Sequence, residues 1–282
     1  MARTPPNPAT AGSNVLSANE LKQLFAANAD DIDFGTPTAT DPANNYARRC
    51  ATCIDFFPTQ SFPSRKGWDQ VHGFGRVNAY EAVRLVKAKR IPPEADITSP
   101  LWFDVRGTTG TLAVTGRVAA RHAESYGYRV EWAPGASPPA HPATDTWRVA
   151  RTQEGLRSPK SGTLATINLA DVAKALPGGG TGLPIDSTGK PDEDRYAVRI
   201  RLVVTAKGGT ADGLEGIHQK QIYAHQDPDL VSGYPKRVPG LSASSPVFAD
   251  LDGTGGEELI VASSDGEVHA YRADGGELPG WP

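Results

Sequence analysis

Apolar residues fall at every second position over three stretches in the middle of the chain. "TLAVTGRVAA" places Leu112, Val114 and Val118 on one side, "YGYRVEW" does so with Tyr126, Tyr128, Val130 and Trp132, and "RYAVRIRLVVTA" with Tyr196, Val198, Ile200, Leu202 and Val204. Side chains alternate across a strand, so each stretch predicts a half-buried strand with a polar reverse face. Trp132 and Trp147 fall in such alternating stretches and read as core. With turn-rich connections between them, these strands predict an antiparallel sandwich of immunoglobulin-like or fibronectin-like type over residues 94–228. "NLADVAKALP" reads as one helical turn between strands, and "PGGGTGLPIDSTGKPDED" as a mobile loop.

Before residue 94 the period is helical. In "LSANELKQLFAANADDIDF", Ser17 and Glu20 have the spacing of a capping box, Leu16 and Leu21 that of a hydrophobic staple, and Leu21, Leu24 and Phe25 mark one apolar face. Residues 35–74 are turn-rich. A second helix is expected in "GFGRVNAYEAVRLVKAKR", capped by Asn78, with Lys87, Lys89 and Arg90 complementing its C-terminal dipole and Pro92 and Pro93 ending it.

The last stretch, residues 229–282, carries three short strands in "SPVFAD", "EELIVAS" and "EVHAYRA". "SGYP" at 232–235 returns as "PGWP" at 279–282, a spacing of about 47 residues, which is a propeller-blade length. One blade cannot bury its faces alone, so further blades are expected to be missing from this chain. The expected organisation is thus three parts: 1–93, 94–228 and 229–282.

Composition narrows the function classes. The 282 residues carry 29 basic and 32 acidic side chains, well mixed, for a net charge of −3. No nucleic-acid or anionic-membrane surface is implied. The hydrophobic fraction of 38%, with 30 Gly and 24 Pro, suits a chain of short strands and many turns. No apolar run is long enough to span a bilayer, and the first residues lack the apolar stretch of a secretory signal. Cys50 and Cys53 in "CATC" read as a local disulfide or two plain thiols, since a lone pair cannot close a structural zinc site and no strand–helix redox context surrounds it. The histidines at 122, 141, 218, 225 and 269 are scattered, with no metal-ligand spacing.

The candidate chemistry lies in "DLDGTGGEE". Asp250, Asp252, Thr254 and Glu258 carry oxygen-bearing side chains, and the backbone carbonyl of Gly256 stands at the remaining odd position. Ca²⁺ takes six to eight oxygens, and such a loop can wrap it; the alternative is an Asp/Gly-rich hairpin turn whose charge is relieved by solvent and local N–H groups.

Residues 246–275 resemble the FG-GAP or VCBS type of propeller repeat, whose blades carry a D-x-D-G-x-G-x-x-[DE] calcium loop. The resemblance implies Asp250, Asp252, Thr254, Gly256 and Glu258 as calcium ligands, with Thr254 departing from the usual Asp or Asn and weakening the site. Residues 16–33 and 73–83 are similar to the end of a subtilisin-like serine peptidase domain, in which "LSANELKQLFAANADDID" follows the nucleophile's helix and "GFGRVNAYEAV" opens the last one. The motifs that would carry the nucleophilic serine, the histidine and the aspartate are not in this sequence. Ser13 in "AGSN" lacks the flanking Thr and Pro, and His72 in "VHGFG" reads as a surface or supporting residue.

The two resemblances imply a fragment of a secreted subtilisin-like endopeptidase, inactive by itself, whose substrate is protein or peptide and whose missing catalytic portion lies upstream. Its fold would be mainly β: a two-helix peptidase tail, a β-sandwich and a truncated blade. The alternative class is a non-enzymatic, calcium-dependent extracellular binding or adhesion module. Without the peptidase's large parallel sheet, Leu21, Leu24, Phe25, Val77, Val83 and Val86 lose their main burial surface, and the N-terminal piece is expected to be loose.

Overall fold

The alternating stretches form the strands of two sheets that share one core. In the computed structural model, residues 15–32, 68, 72–136, 147–183, 189, 192, 195–238, 240 and 245–282 are described. Ser13, Cys50, Cys53 and most of the glycine-rich loop after residue 183 lie outside them. One sheet has the order β1-β3-β6, from β1 (Glu94–Ser99), β3 (Thr111–Ala119) and β6 (Lys160–Asn168). The other has the order β2-β8-β7-β4-β5, from β2 (Val105–Arg106), β4 (Ser125–Pro134), β5 (Arg148–Leu156), β7 (Ala197–Lys207) and β8 (Glu215–Ala224). Pairing is antiparallel except between β2 and β8. The protein is mainly β, with open antiparallel sheets.

Leu112, Val114 and Val118 of one sheet meet Tyr126, Tyr128, Val130, Trp132, Val198, Ile200, Leu202 and Val204 of the other in a single cluster. Two tyrosines of β4 reach across it. Tyr126 donates to the Val118 carbonyl at 3.1 Å and Tyr128 to the Leu164 carbonyl at 3.0 Å, so their hydroxyls remain bonded inside the apolar layer. Burial pushes the Tyr126 hydroxyl up to about 12. Trp147 departs from expectation. It is half-buried and outside the core cluster, with the guanidiniums of Arg201 and Arg199 at 3.9 Å and 4.9 Å from its ring. It precedes β5 and stacks on the face of β7 opposite Ile200 and Leu202, where cation–π contact replaces burial.

Three α-helices occur among the described residues. The first, α1 (Ala18–Ala27), has the expected capping box: Glu20 N–H donates to Ser17 Oγ at 3.0 Å and Ser17 N–H to Glu20 Oε2 at 2.8 Å. The second, α2 (Ala79–Lys87), is capped by Asn78, whose side chain accepts from the Glu81 N–H at 3.1 Å. It stops before Pro92, because Lys89 turns left-handed at φ 55° and the Lys89 and Arg90 N–H groups bond back to Val86 and Leu85. The insertion between strands is α3 (Leu169–Ala175), capped by Asn168.

The two helices before residue 94 are held in two different ways. Leu24 packs with Ala82 and Leu85, so α1 and α2 bury one another's inner faces. Val77 just before α2, and Tyr80, Val83 and Val86 on it, remain exposed, as does Leu21. Yet α1 is not loose. The Gln23 amide donates to the Ala95 carbonyl at 3.0 Å and accepts from the Ile217 N–H at 2.7 Å, joining β1 to β8. Asn19 pairs with both backbone groups of Ala95, and Ser17 Oγ donates to Glu94 at 2.5 Å. The buried Glu20 carboxylate takes two bonds from Arg121, just beyond β3. Thus α1 covers the outer edge of β1 with side-chain amides where another strand would otherwise pair. Gly216 permits this approach, since a Cβ there would collide with the Pro93 carbonyl oxygen.

The chain divides into two compact units, Met1–His225 and Gln226–Pro282. The second holds β9 (Val247–Ala249), β10 (Glu258–Ala262) and β11 (Val268–Tyr271) in one antiparallel sheet of order β11-β10-β9. The repeated phrases adopt matching turns: Gly233 and Gly280 have φ of 83° and 89°. At Gly233 a side chain is also excluded by the Asp274 carbonyl.

Removing the Gln23 amide leaves the Ile217 N–H without its acceptor and the Ala95 carbonyl with the Asn19 amide alone. Gln23→Ala is expected to cost about 2 kcal/mol in urea unfolding. Glu20→Ala, which removes the carboxylate that Arg121 pairs with and leaves its guanidinium the Val15 carbonyl, is expected to cost about 2 kcal/mol or more.

Candidate metal centre

Glu258 opens β10 opposite Ala249 at the end of β9, so this ladder pair closes the acidic loop at both ends. Within the loop the backbone turns back on the carboxylates. Asp250 accepts from Gly253 N–H at 2.8 Å through one oxygen and from Gly255 N–H at 3.0 Å through the other. Asp252 accepts from Thr254 N–H at 3.1 Å, and the buried Glu258 accepts from Leu251 N–H at 2.9 Å. Gly253 and Gly255 both sit in the left-handed region, at φ 73° and 84°, which is what brings their N–H groups inward.

Of the five expected ligands, the structure brings together the three acids. One oxygen each of Asp250, Asp252 and Glu258 lies within 4.8 Å of the others. Thr254 turns to Asp252 through side chain and backbone. Arg272 lies 3.5 Å from Asp252 and brings a cation to these three acids. The local N–H groups relieve part of the repulsion without exhausting the carboxylates, since each ionised carboxylate offers about four acceptor positions. A divalent, oxygen-seeking ion would fit this donor set.

Other residues weighed for chemistry are placed differently. The His72 carbonyl accepts from Gly75 N–H at 3.0 Å in the turn leading towards α2. Asp30 is committed to Arg76 at 3.1 Å and Asn78 at 3.0 Å, which ties the end of α1 to the start of α2. His218 pairs with Asp96 at 3.0 Å, and His269 with Glu277 at 2.6 Å. His269, one of the histidines scattered along the sequence, joins Asp265 and Glu267 in a second cluster of possible ligands. The signal was legible: in "DGEVH" the three donors stand at alternate positions, and alternate positions share a face in an extended chain.

No protein-family model matches this chain, and no curated protein sequence matches it. Among the described residues, no helix is long and apolar enough to cross a membrane.

Hydrogen bonds from Thr254, its side chain first, hold the Asp252 carboxyl below the usual carboxylate range, and Arg272 adds to the effect. A lowered folded value means the ionised loop is favoured above the unfolded value, about 3.9, and this contribution is lost as pH falls through the folded value. The Thr254 amide resonance is therefore expected to titrate only below about pH 3.9. In Asp252→Asn the transition should vanish; a titration unchanged in that variant would place the proton elsewhere.

Proposed function

We propose that this chain is the non-catalytic part of a secreted subtilisin-like serine endopeptidase. Its first helices are the closing helices of the catalytic domain, docked on an accessory β-sandwich of immunoglobulin-like or fibronectin-like type. A propeller-type blade with a calcium loop follows. The observation that carries this reading is the docking of α1: the residues that make up the peptidase-like phrase, Ser17, Asn19, Glu20 and Gln23, are the ones that bond to Glu94, Ala95, Arg121 and Ile217. The exposed apolar face of α2, with Tyr80, Val83 and Val86, and Val77 just before it, is where that reading expects the rest of a catalytic domain to pack. Acyl transfer needs a hydroxyl, a base and an orienting acid in linked contact. The sequence motifs for that set are missing, so the role left to these residues is to position an enzyme on a protein substrate or surface.

In the blade, Asp250, Asp252 and Glu258 would hold Ca²⁺ by their carboxylates, with Thr254 and the Gly256 carbonyl completing the set. One cavity favours a second reading, a calcium-dependent binding module with no peptidase attached. It measures 470 Å³ and is lined by Leu230, Val231, Tyr234, Phe248, Leu259 and Tyr271, among others, all in the second unit. The size of the native protein separates the two. A mass well beyond these 282 residues, with labelling by a serine-directed phosphonate probe, supports the peptidase. A mass equal to them supports the binder.

The chain as given is expected to show no turnover of a chromogenic peptide, and turnover abolished by a serine-directed inhibitor would refute this assignment. Calcium at ten times its dissociation constant should stabilise the 226–282 unit by about 1.4 kcal/mol, raising its melting temperature by about 5 to 10 °C. Asp252→Ala should remove that shift, and persistence of the shift would locate the ion elsewhere.

A further inference from the structure

The turn from β10 to β11 brings together a second donor set, separate from the loop at 250–258. Asp265, Glu267 and His269 each offer one ligand atom within 4.8 Å of the other two. Exposed carboxylates at a turn are ordinary. The imidazole is not: His269 is 4% exposed, and its Nε2 is buried with no hydrogen-bond partner.

The other ring nitrogen explains the orientation. Nδ1 lies 2.6 Å from Glu277 Oε1, on the short segment that bridges back to Tyr271. In the neutral ring a carboxylate there accepts the hydrogen bond from Nδ1–H, and Nε2 then carries the lone pair. That lone pair is 3.9 Å from Glu267 Oε2, too far for a hydrogen bond. It is close to the spacing of about 3 to 4 Å that two ligands of one small divalent ion keep. A carboxylate behind one nitrogen of an imidazole, with a second carboxylate facing the other, is the arrangement that orients metal-binding histidines.

We propose that Asp265, Glu267 and His269 bind a divalent first-row transition ion of the Zn²⁺ class, with Glu277 as the positioning residue and water completing the coordination. Imidazole nitrogen distinguishes this set from the all-oxygen loop at 250–258, because it favours zinc-like ions over calcium and magnesium. The unit has reason to use such an ion. Among the described residues of Gln226–Pro282, only Ala270, Tyr271 and Leu278 are buried apolar side chains, and small units with so little core commonly depend on metals.

The full chain, free of affinity tags, is titrated with Zn²⁺ by calorimetry and with Co²⁺ by visible absorption, with millimolar Ca²⁺ present throughout to occupy any calcium site. A Zn²⁺ isotherm and Co²⁺ d–d bands are expected. Both should be lost in His269→Gln and strongly weakened in Glu267→Gln, an exposed side chain whose replacement leaves the fold intact. Glu277→Gln should weaken Zn²⁺ about 10- to 100-fold. Asp252→Ala should leave the isotherm in place. Absence of Co²⁺ bands in the parent chain, or an isotherm unchanged in both His269→Gln and Glu267→Gln, would overturn the site; in that case a proton on Nε2 is the occupant.

Discussion

Glu20 is almost wholly removed from water, and the Arg121 guanidinium that meets it makes that burial tolerable. An isolated carboxylate in such a place would cost far more than a helix of ten residues could return by packing. Because the pair forms, α1 can bring Gln23 against Ala95 and Ile217, and the edge of β1 is covered by side-chain amides. The same demand recurs through the chain. Tyr126 and Tyr128 cross the core with carbonyls beyond it to accept from their hydroxyls, Glu258 is buried over a backbone N–H, and the His269 ring is backed by Glu277.

The two units meet this demand on different foundations. In the first, a continuous apolar layer from both sheets supplies the stability, and polar bonds select which elements dock. In the second, apolar burial is sparse and carboxylates are plentiful. Its turns are shaped by Asp side chains accepting from N–H groups two to five residues on, at Asp250, Asp252, Asp265 and Asp274. A sheet held this way is sensitive to anything that changes carboxylate charge, including bound cations.

Much of the fold was legible from side-chain period alone. The three alternating stretches are β3, β4 and β7, and the Ser17 capping box and the Asn78 cap form as their spacing implies. What escaped was anything set by partners distant in sequence. Trp147 sits in an alternating stretch, yet Arg199 and Arg201 claim its ring from another strand. Gln23 reads as an ordinary polar helix residue until Ile217, nearly two hundred positions on, is placed beside it. At the acidic loop, spacing identified the carboxylates that converge, but it could not say that Thr254 would turn to Asp252. For His269 the local spacing was present, and only the burial of the ring gave it meaning.

The way α1 is attached has a mechanical side. An apolar contact lets two surfaces slide at little expense, whereas the amides of Asn19 and Gln23 and the fork of Arg121 work only within narrow angles. The joint therefore acts as a bracket and not a swivel: the axis of α1 has a set direction against β1 and β8, and any polypeptide rigidly continuous with that helix inherits its aim.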